Sequence, residues 1–306
     1  MNSFISWVGG KKALRDEIVQ HFPFCYDRYI EVFGGGGWVL FHKQPRNDFE
    51  VYNDFNSLLV NLFRCVQCGP KARRMKKLLR YSLNSRQEFD RIRRVMNDPN
   101  ARMADYRRAA YYYQLIRYSY ASGLDSFAAQ PHDIRSDFPI IDMATARLAN
   151  VVVEHGSFER VIRHYDRPTS FFYCDPPYHD SEKFYKNVGG FDIRKHILLR
   201  DTLLSIDGLF LLSYNDDAFV RKLYDHEGIY LLEKKRPHNM RQRFEGGAEF
   251  PELLIANYDL NDPSQLLMGQ TTLFNMNGGL LQPLTAIIFL SSRKTRKTDC
   301  ISRPRR

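Results

Sequence analysis

The chain has 306 residues and a mass of 36.0 kDa, enough for one large domain or for one domain carrying a substantial insertion. Lys and Arg number 45 against 35 Asp and Glu, a formal charge of +10, which favours a polyanionic partner over an acidic or neutral one. Five cysteines at this length argue against a secreted disulfide scaffold, and the longest apolar run, Leu280–Leu290, is too short and too interrupted to span a bilayer, so a cytoplasmic protein with no membrane partner is expected.

In chain order, Tyr29–Phe33 reads as an apolar strand, Gly34–Gly37 as the turn after it, and Trp38–Lys43 as helical. A second strand, Phe49–Tyr52, ends in Asn53-Asp54, after which Asn56 caps a helix running to about Cys68. Cys65 and Cys68 form a CxxC inside this apolar helical pattern; with no second Cys or His pair nearby they read as buried helix cysteines, and no metal is expected. From Lys71 to about Ser122 the chain is charged, has Leu, Ile, Met and Tyr at helical spacing, and lacks strand runs. Strands resume at Val151–Glu154, Ser170–Cys174, Leu209–Ser213 and Ile229–Leu232, with helices at Arg194–Ile206 and Asp217–Leu223 and a last strand at Leu253–Tyr258. This alternation predicts an α/β fold with a Rossmann-like, mostly parallel sheet. The expected organisation is a discontinuous α/β domain at 1–68 and 136–267, a helical insert at 69–135, and a basic, poorly ordered tail at 268–306.

Residues 171–178, Phe-Phe-Tyr-Cys-Asp-Pro-Pro-Tyr, run a buried-strand pattern straight into an acid, two prolines and an aromatic. Pro176 and Pro177 cannot donate to a β ladder, so they end the strand and hold the backbone extended. Asp175 then offers carboxylate oxygens, Pro176 a carbonyl, and Tyr178 a flat face: a set that suits a planar amine. The alternative is a strand that merely stops in a proline turn. Asp54 follows Glu31 by 23 residues, near the spacing at which an acid after the second strand takes ribose hydroxyls beside a glycine turn. Taken singly, the glycines also describe a mobile loop and Asp54 an ordinary helix-start acid. Neither glycine run is a phosphate loop, because no Gly-Lys-Ser/Thr follows the first strand and Gly9-Gly10-Lys11 has no strand before it. Between Arg64 and Arg117 the chain carries 15 Lys and Arg against 4 Asp and Glu, a one-sign surplus that points to a nucleic-acid surface.

Four motifs in this order, Trp7-Val8-Gly9-Gly10-Lys11, Glu31-Val32-Phe33-Gly34-Gly35-Gly36-Gly37, Asn53-Asp54 and Asp175-Pro176-Pro177-Tyr178, resemble the Dam-type DNA adenine methyltransferases of the alpha group over about Phe4 to Asp259. Val32 stands where that family often has Pro. The resemblance implies a methyltransferase fold with S-adenosylmethionine across the sheet edge. Trp7 and Lys11 would close over it, Phe33, Gly35 and Gly37 lie beside it, Asp54 take the ribose, Asp175 meet the methionine amino group, and Phe158 pack on its adenine. It further implies base flipping, since chemistry on a duplex base requires unstacking it. Asp175 and the Pro176 carbonyl would accept from the target amine, with Pro177 stiffening the backbone and Tyr178 replacing a lost stacking partner. Arg117-Tyr118-Ser119-Tyr120 and Gly123-Leu124 are similar to the family's DNA-contacting loop. Arg117, Tyr118 and Ser126 are therefore expected to read DNA, and Lys76 and Lys77 to grip it. Double-stranded DNA is the implied partner, alongside a cognate restriction endonuclease, with the protein a monomer. His179 reads as an ordinary exposed histidine. A cytosine amino methyltransferase, a methyltransferase acting on RNA or protein, and a non-catalytic DNA-binding module are the alternatives; the first more often carries Ser before Pro-Pro-Tyr, and the basic insert argues against the protein version.

Overall fold

The structure, a computed structural model, describes residues 1–45, 49–179, 190–237 and 249–262. A short helix, α1 (Arg15–Gln20), precedes the first strand, β1 (Arg28–Glu31). The glycine turn opens α2 (Trp38–His42), and β2 (Phe49–Asn53) leads into α3 (Ser57–Gln67). The Asn56 side chain accepts from the N–H groups of Leu58 and Leu59 at 3.0 and 3.2 Å, satisfying donors that the first turn leaves open. Helices α4 (Gly69–Leu79), α5 (Arg86–Asn97) and α6 (Asp105–Tyr118) fill the stretch read as helical, and α7 (Phe138–Leu148) follows. The remainder runs β3 (Val151–Glu154), α8 (Phe158–Tyr165), β4 (Ser170–Cys174), α9 (Ile193–Leu204), β5 (Leu209–Asn215), α10 (Ala218–Leu223), β6 (Tyr230–Pro237) and β7 (Glu249–Ala256).

The strands form one sheet in the order β3-β2-β1-β4-β5-β7-β6. The first five are parallel, and β7 enters between β5 and β6 antiparallel to both. Alternation along each strand sorts the side chains between two cores. Phe171 and Tyr173 of β4 join Tyr29, Tyr52 and Leu211 beneath α2, α3, α6 and α7, whereas Phe172 and Cys174 join Ile30, Val51 and Leu212 beneath α8, α9 and α10. The helices of the insert share the first of these cores: Met75, Phe89, Ile92 and Tyr113 are buried in the same cluster as the sheet residues.

Three helices go beyond the sequence reading. α1 is short, α7 starts on Phe138-Pro139, where a first-turn proline suits a helix start, and α8 is eight residues between a Gly-Ser and an Asp. Its buried Phe158, Val161, Ile162 and Tyr165 recur at helical spacing. The tail from 268 onward lies outside the described residues.

The chain winds outward from β1 to β2 and β3 on one side, then returns to β4 on the other. The strand order therefore reverses between β1 and β4, and open α/β sheets leave a crevice for ligands at the carboxyl ends of such a pair.

Candidate active site

The crevice is built first by its glycine turn. Gly34 N–H donates to the Asn53 carbonyl at 2.7 Å, Gly35 N–H to Asp54 Oδ2 at 2.8 Å, and the Tyr52 hydroxyl to the Gly35 carbonyl at 2.7 Å. Asn53 ties a third segment in: its amide nitrogen donates to the Val32 carbonyl at 2.8 Å, and its Oδ1 accepts from Gly156 N–H at 2.9 Å. A Cβ at Gly34 would fall 2.2 Å from the Tyr52 ring, and Gly35 has a φ of +49° beneath the Trp7 indole, so both positions need glycine. The loop is held in place by β2, not left mobile.

Above it lies a cavity of about 440 Å³, lined in part by Trp7, Lys11, Phe33, Asp54, Asp175 and Tyr178, a volume in the range of small-molecule sites. One wall is aromatic: Phe33 stacks on Phe158 at 5.6 Å, and Phe191 meets the two rings at 5.7 and 5.6 Å. Phe191 and Lys195 also line this wall, and no motif singles them out. Asp54 accepts from Gly35 and, through Oδ1, from Asn56 N–H at 2.7 Å; burial raises its pKa while these N–H groups pull it down. Glu31, at the end of β1, is 2% exposed and accepts from the Tyr29 hydroxyl at 2.6 Å. Burial pushes its carboxyl up to about 8, against the pull of that hydroxyl, so at neutral pH Glu31 is chiefly the protonated acid. A neutral Glu31 spares the cavity a third carboxylate charge beside Asp54 and Asp175.

The Asp-Pro-Pro-Tyr segment leaves β4 at the same edge. Asp175 Oδ1 lies 2.7 Å from Lys11 Nζ and accepts from the Ser213 hydroxyl at 3.3 Å. Lys11 is buried, donates to the Tyr178 hydroxyl, and stands 4.5 Å from the centre of the Tyr178 ring. The hydroxyl in turn donates to Glu252 Oε2 at 2.5 Å, and the ring stacks on Tyr214 at 5.8 Å. His179 is more enclosed than an ordinary surface histidine: it is 20% exposed, stacks on Phe219 at 4.4 Å and faces Asp217 at 3.4 Å. Of the positions named from sequence on the cofactor side, Gly37 alone is absent from the wall. It sits behind, at the start of α2, where a φ of +66° and close packing on Phe41 and Phe63 explain the glycine.

Residues 7–237 match the model of the D12 class N6 adenine-specific DNA methyltransferases. The chain belongs to that family. It methylates adenine in DNA at N6, drawing on a methyl donor. The chain is 25% identical over 279 residues to the Type II methyltransferase M1.LlaDCHI of Lactococcus lactis subsp. cremoris, covering 84% of this chain and 96% of the relative. It is 26% identical over 262 residues to the DNA adenine methylase of Serratia marcescens, covering 76% and 91%. With the Type II methyltransferase M.MjaIII of Methanocaldococcus jannaschii it shares 28% over 291 residues, covering 83% and 98%. Among the described residues no helix is long and apolar enough to cross a membrane.

The positions expected from sequence to meet DNA divide into engaged and exposed residues. Arg117 donates to Asp137 Oδ1 at 2.6 Å, and His132 meets the other oxygen at 3.0 Å, so this arginine braces the 119–137 segment from within the fold. Tyr118 is buried, whereas Ser126 is exposed. Lys76 pairs with Asp142 and Lys71 with Asp105. Lys77 is exposed, and with Arg73 and Arg80 it forms a stripe at i, i+4 and i+7 on one face of α4 and its last turn. Buried Glu252 is a site residue that motif reasoning passes over. It lies in the first half of an antiparallel strand, which starts at the same sheet edge as the ends of the parallel ones, opposite Asn215 of β5.

Proposed function

We propose that S-adenosylmethionine is the methyl donor and that the crevice between β1 and β4 holds it. The carrying observation is the convergence on one cavity of a rigid glycine cradle, an aromatic wall and two carboxylates, Asp54 and Asp175. The donor set fits the group: Phe33, Phe158 and Phe191 suit a purine, Asp54 at the end of β2 suits ribose hydroxyls, and Trp7 covers the glycine turn. The bound cofactor would supply an already activated methyl on a sulfonium.

The rest is performed by this chain's own groups. Adenine's amino lone pair is delocalised into its ring and is a poor nucleophile. Asp175 and the Pro176 carbonyl, both at the cavity, accept its two N–H bonds, turn the nitrogen toward tetrahedral geometry and stabilise positive charge as it develops. Pro176 and Pro177 fix those acceptors before the substrate arrives, so little reorganisation is needed. Tyr178, backed by Tyr214, supplies the stacking surface for a base flipped from the duplex. Double-stranded DNA is gripped outside the cavity by exposed cations of α4 to α6, Arg73, Lys77 and Arg80 among them. Purified protein incubated with methyl-labelled S-adenosylmethionine and DNA from a methylation-free host should place the label in N6-methyldeoxyadenosine on nucleoside digestion. Label on cytosine, or no transfer from this donor, overturns the reading.

A further inference from the structure

We infer that Glu252 is a positioning residue for methyl transfer, acting through the Tyr178 hydroxyl and the Lys11 ammonium. The inference rests on the reading of Asp175 and Tyr178 given above and extends it to a residue outside every motif. Glu252 is 1% exposed, and a carboxylate is seldom buried without a specific engagement. Here that engagement leads straight to the reacting groups. Oε2 accepts from the Tyr178 hydroxyl at 2.5 Å and lies 3.9 Å from Lys11 Nζ, while the same Nζ meets Asp175 at 2.7 Å. Four side chains from three separate parts of the sequence thus form one chain: Glu252, Tyr178, Lys11, Asp175.

The topology gives Glu252 its purpose. Tyr178 follows two prolines at the end of β4 and leads into residues beyond the strand, so its backbone alone does not aim its ring. A hydroxyl tied to a strand buried between β5 and β6 does. The ion pair of Lys11 with Asp175 depends on the same anchor, because Lys11 donates to the oxygen that Glu252 holds. A ring or carboxylate displaced by a fraction of an ångström loses alignment with the transferred methyl, and misplacements of that order lower rates by up to about 10²-fold.

The test compares E252Q, E252A, Y178F and the double variant E252Q/Y178F in single-turnover methylation of a duplex containing the methylated site, with the thermal midpoint and the KM for DNA measured on each. E252Q keeps the shape and an acceptor oxygen but loses the charge that strengthens the bond. The expected result is a transfer rate about tenfold lower for E252Q and up to about 10²-fold lower for E252A, with KM for DNA and the E252Q thermal midpoint near those of the parent. Y178F should also be slower, and the double variant should lose far less than the two single losses multiplied together, because both changes break the same Tyr178–Glu252 bond and differ only in the Glu252–Lys11 contact at 3.9 Å. Full activity of E252Q and E252A, additive losses in the double variant, or a loss of E252Q midpoint with an unchanged rate would overturn the inference. Each of these outcomes leaves adenine methylation by the parent intact. A parent that makes no N6-methyladenine with S-adenosylmethionine would instead bring down the reading beneath it.

Discussion

The cavity edge of the sheet and the outer face of the α4 to α6 helices both carry charge, but they handle it in opposite ways. At the edge, Glu31, Lys11 and Glu252 are 2%, 3% and 1% exposed, and each is engaged by named neighbours at a defined atom. On the helices, Arg73, Lys77 and Arg80 stand in solvent at helical spacing, while Lys71, Lys76 and Arg117 are drawn into pairs with Asp105, Asp142 and Asp137. Chemistry on one amino group needs few charges in fixed places with water kept out. Holding a polyanion needs many charges in loose places with water let in. The two regions should accordingly fail in different ways.

The largest effect expected at the edge is on stability with pH. Glu31 has its folded pKa raised to about 8 by burial, so between about 4.5 and 8 the folded chain holds a proton that the unfolded chain has released. Stability therefore falls as pH rises through that window, by on the order of 4 kcal/mol. Urea unfolding of E31Q should lack this fall; a parallel decline in the variant would show that other groups cause it. Asp175→Ala should lower the transfer rate by about 10²–10³, the loss seen when one preorganised charge-stabilising group is removed, with DNA affinity retained. A normal rate would remove Asp175 from the chemistry. Asp54→Ala should weaken S-adenosylmethionine by about 1.5–3 kcal/mol per charge-assisted hydrogen bond lost, read by calorimetry; since Asp54 also holds Gly35, loosening of the glycine turn adds to the loss. Unchanged affinity would place the ribose elsewhere. The smallest single effects belong to the helices. Each of Arg73, Lys77 and Arg80 replaced by Ala should reduce the log–log slope of DNA affinity against salt by about 0.9 if it contacts a phosphate. A slope that does not move takes α4 off the DNA.

These regions also differ in how much the residues disclose in order. The glycine turn, Asp54 and Asp-Pro-Pro-Tyr are legible because each is a local exception: glycines, prolines or an acid where a strand pattern should end. The parallel core of the sheet is legible for a related reason, since Val151–Glu154 and Ser170–Cys174 are short apolar runs with the same bounds in the fold. Glu252 is not, because it lies in a strand whose direction only pairing with β5 determines, and a lone acid just ahead of an apolar run carries no local signal. Phe191 and Lys195 reach the cavity through the fold, from the start of α9. Arg117 has a partner that the sequence does not announce: a basic residue beside aromatics resembles a base reader, and Asp137, 20 residues further on, folds back to engage it. Long-range pairing of this kind has no period.

One experiment sets the two regions against each other most directly. Single-turnover rate at saturating DNA, and DNA affinity at fixed salt, are measured on the same duplex for Asp175→Ala and for the triple variant R73A/K77A/R80A. Asp175→Ala should lose rate and keep affinity, and the triple variant should lose affinity and keep rate. An Asp175→Ala protein that loses affinity as severely as rate, or a triple variant slowed at saturating DNA, would contradict the division of labour between cavity and helices.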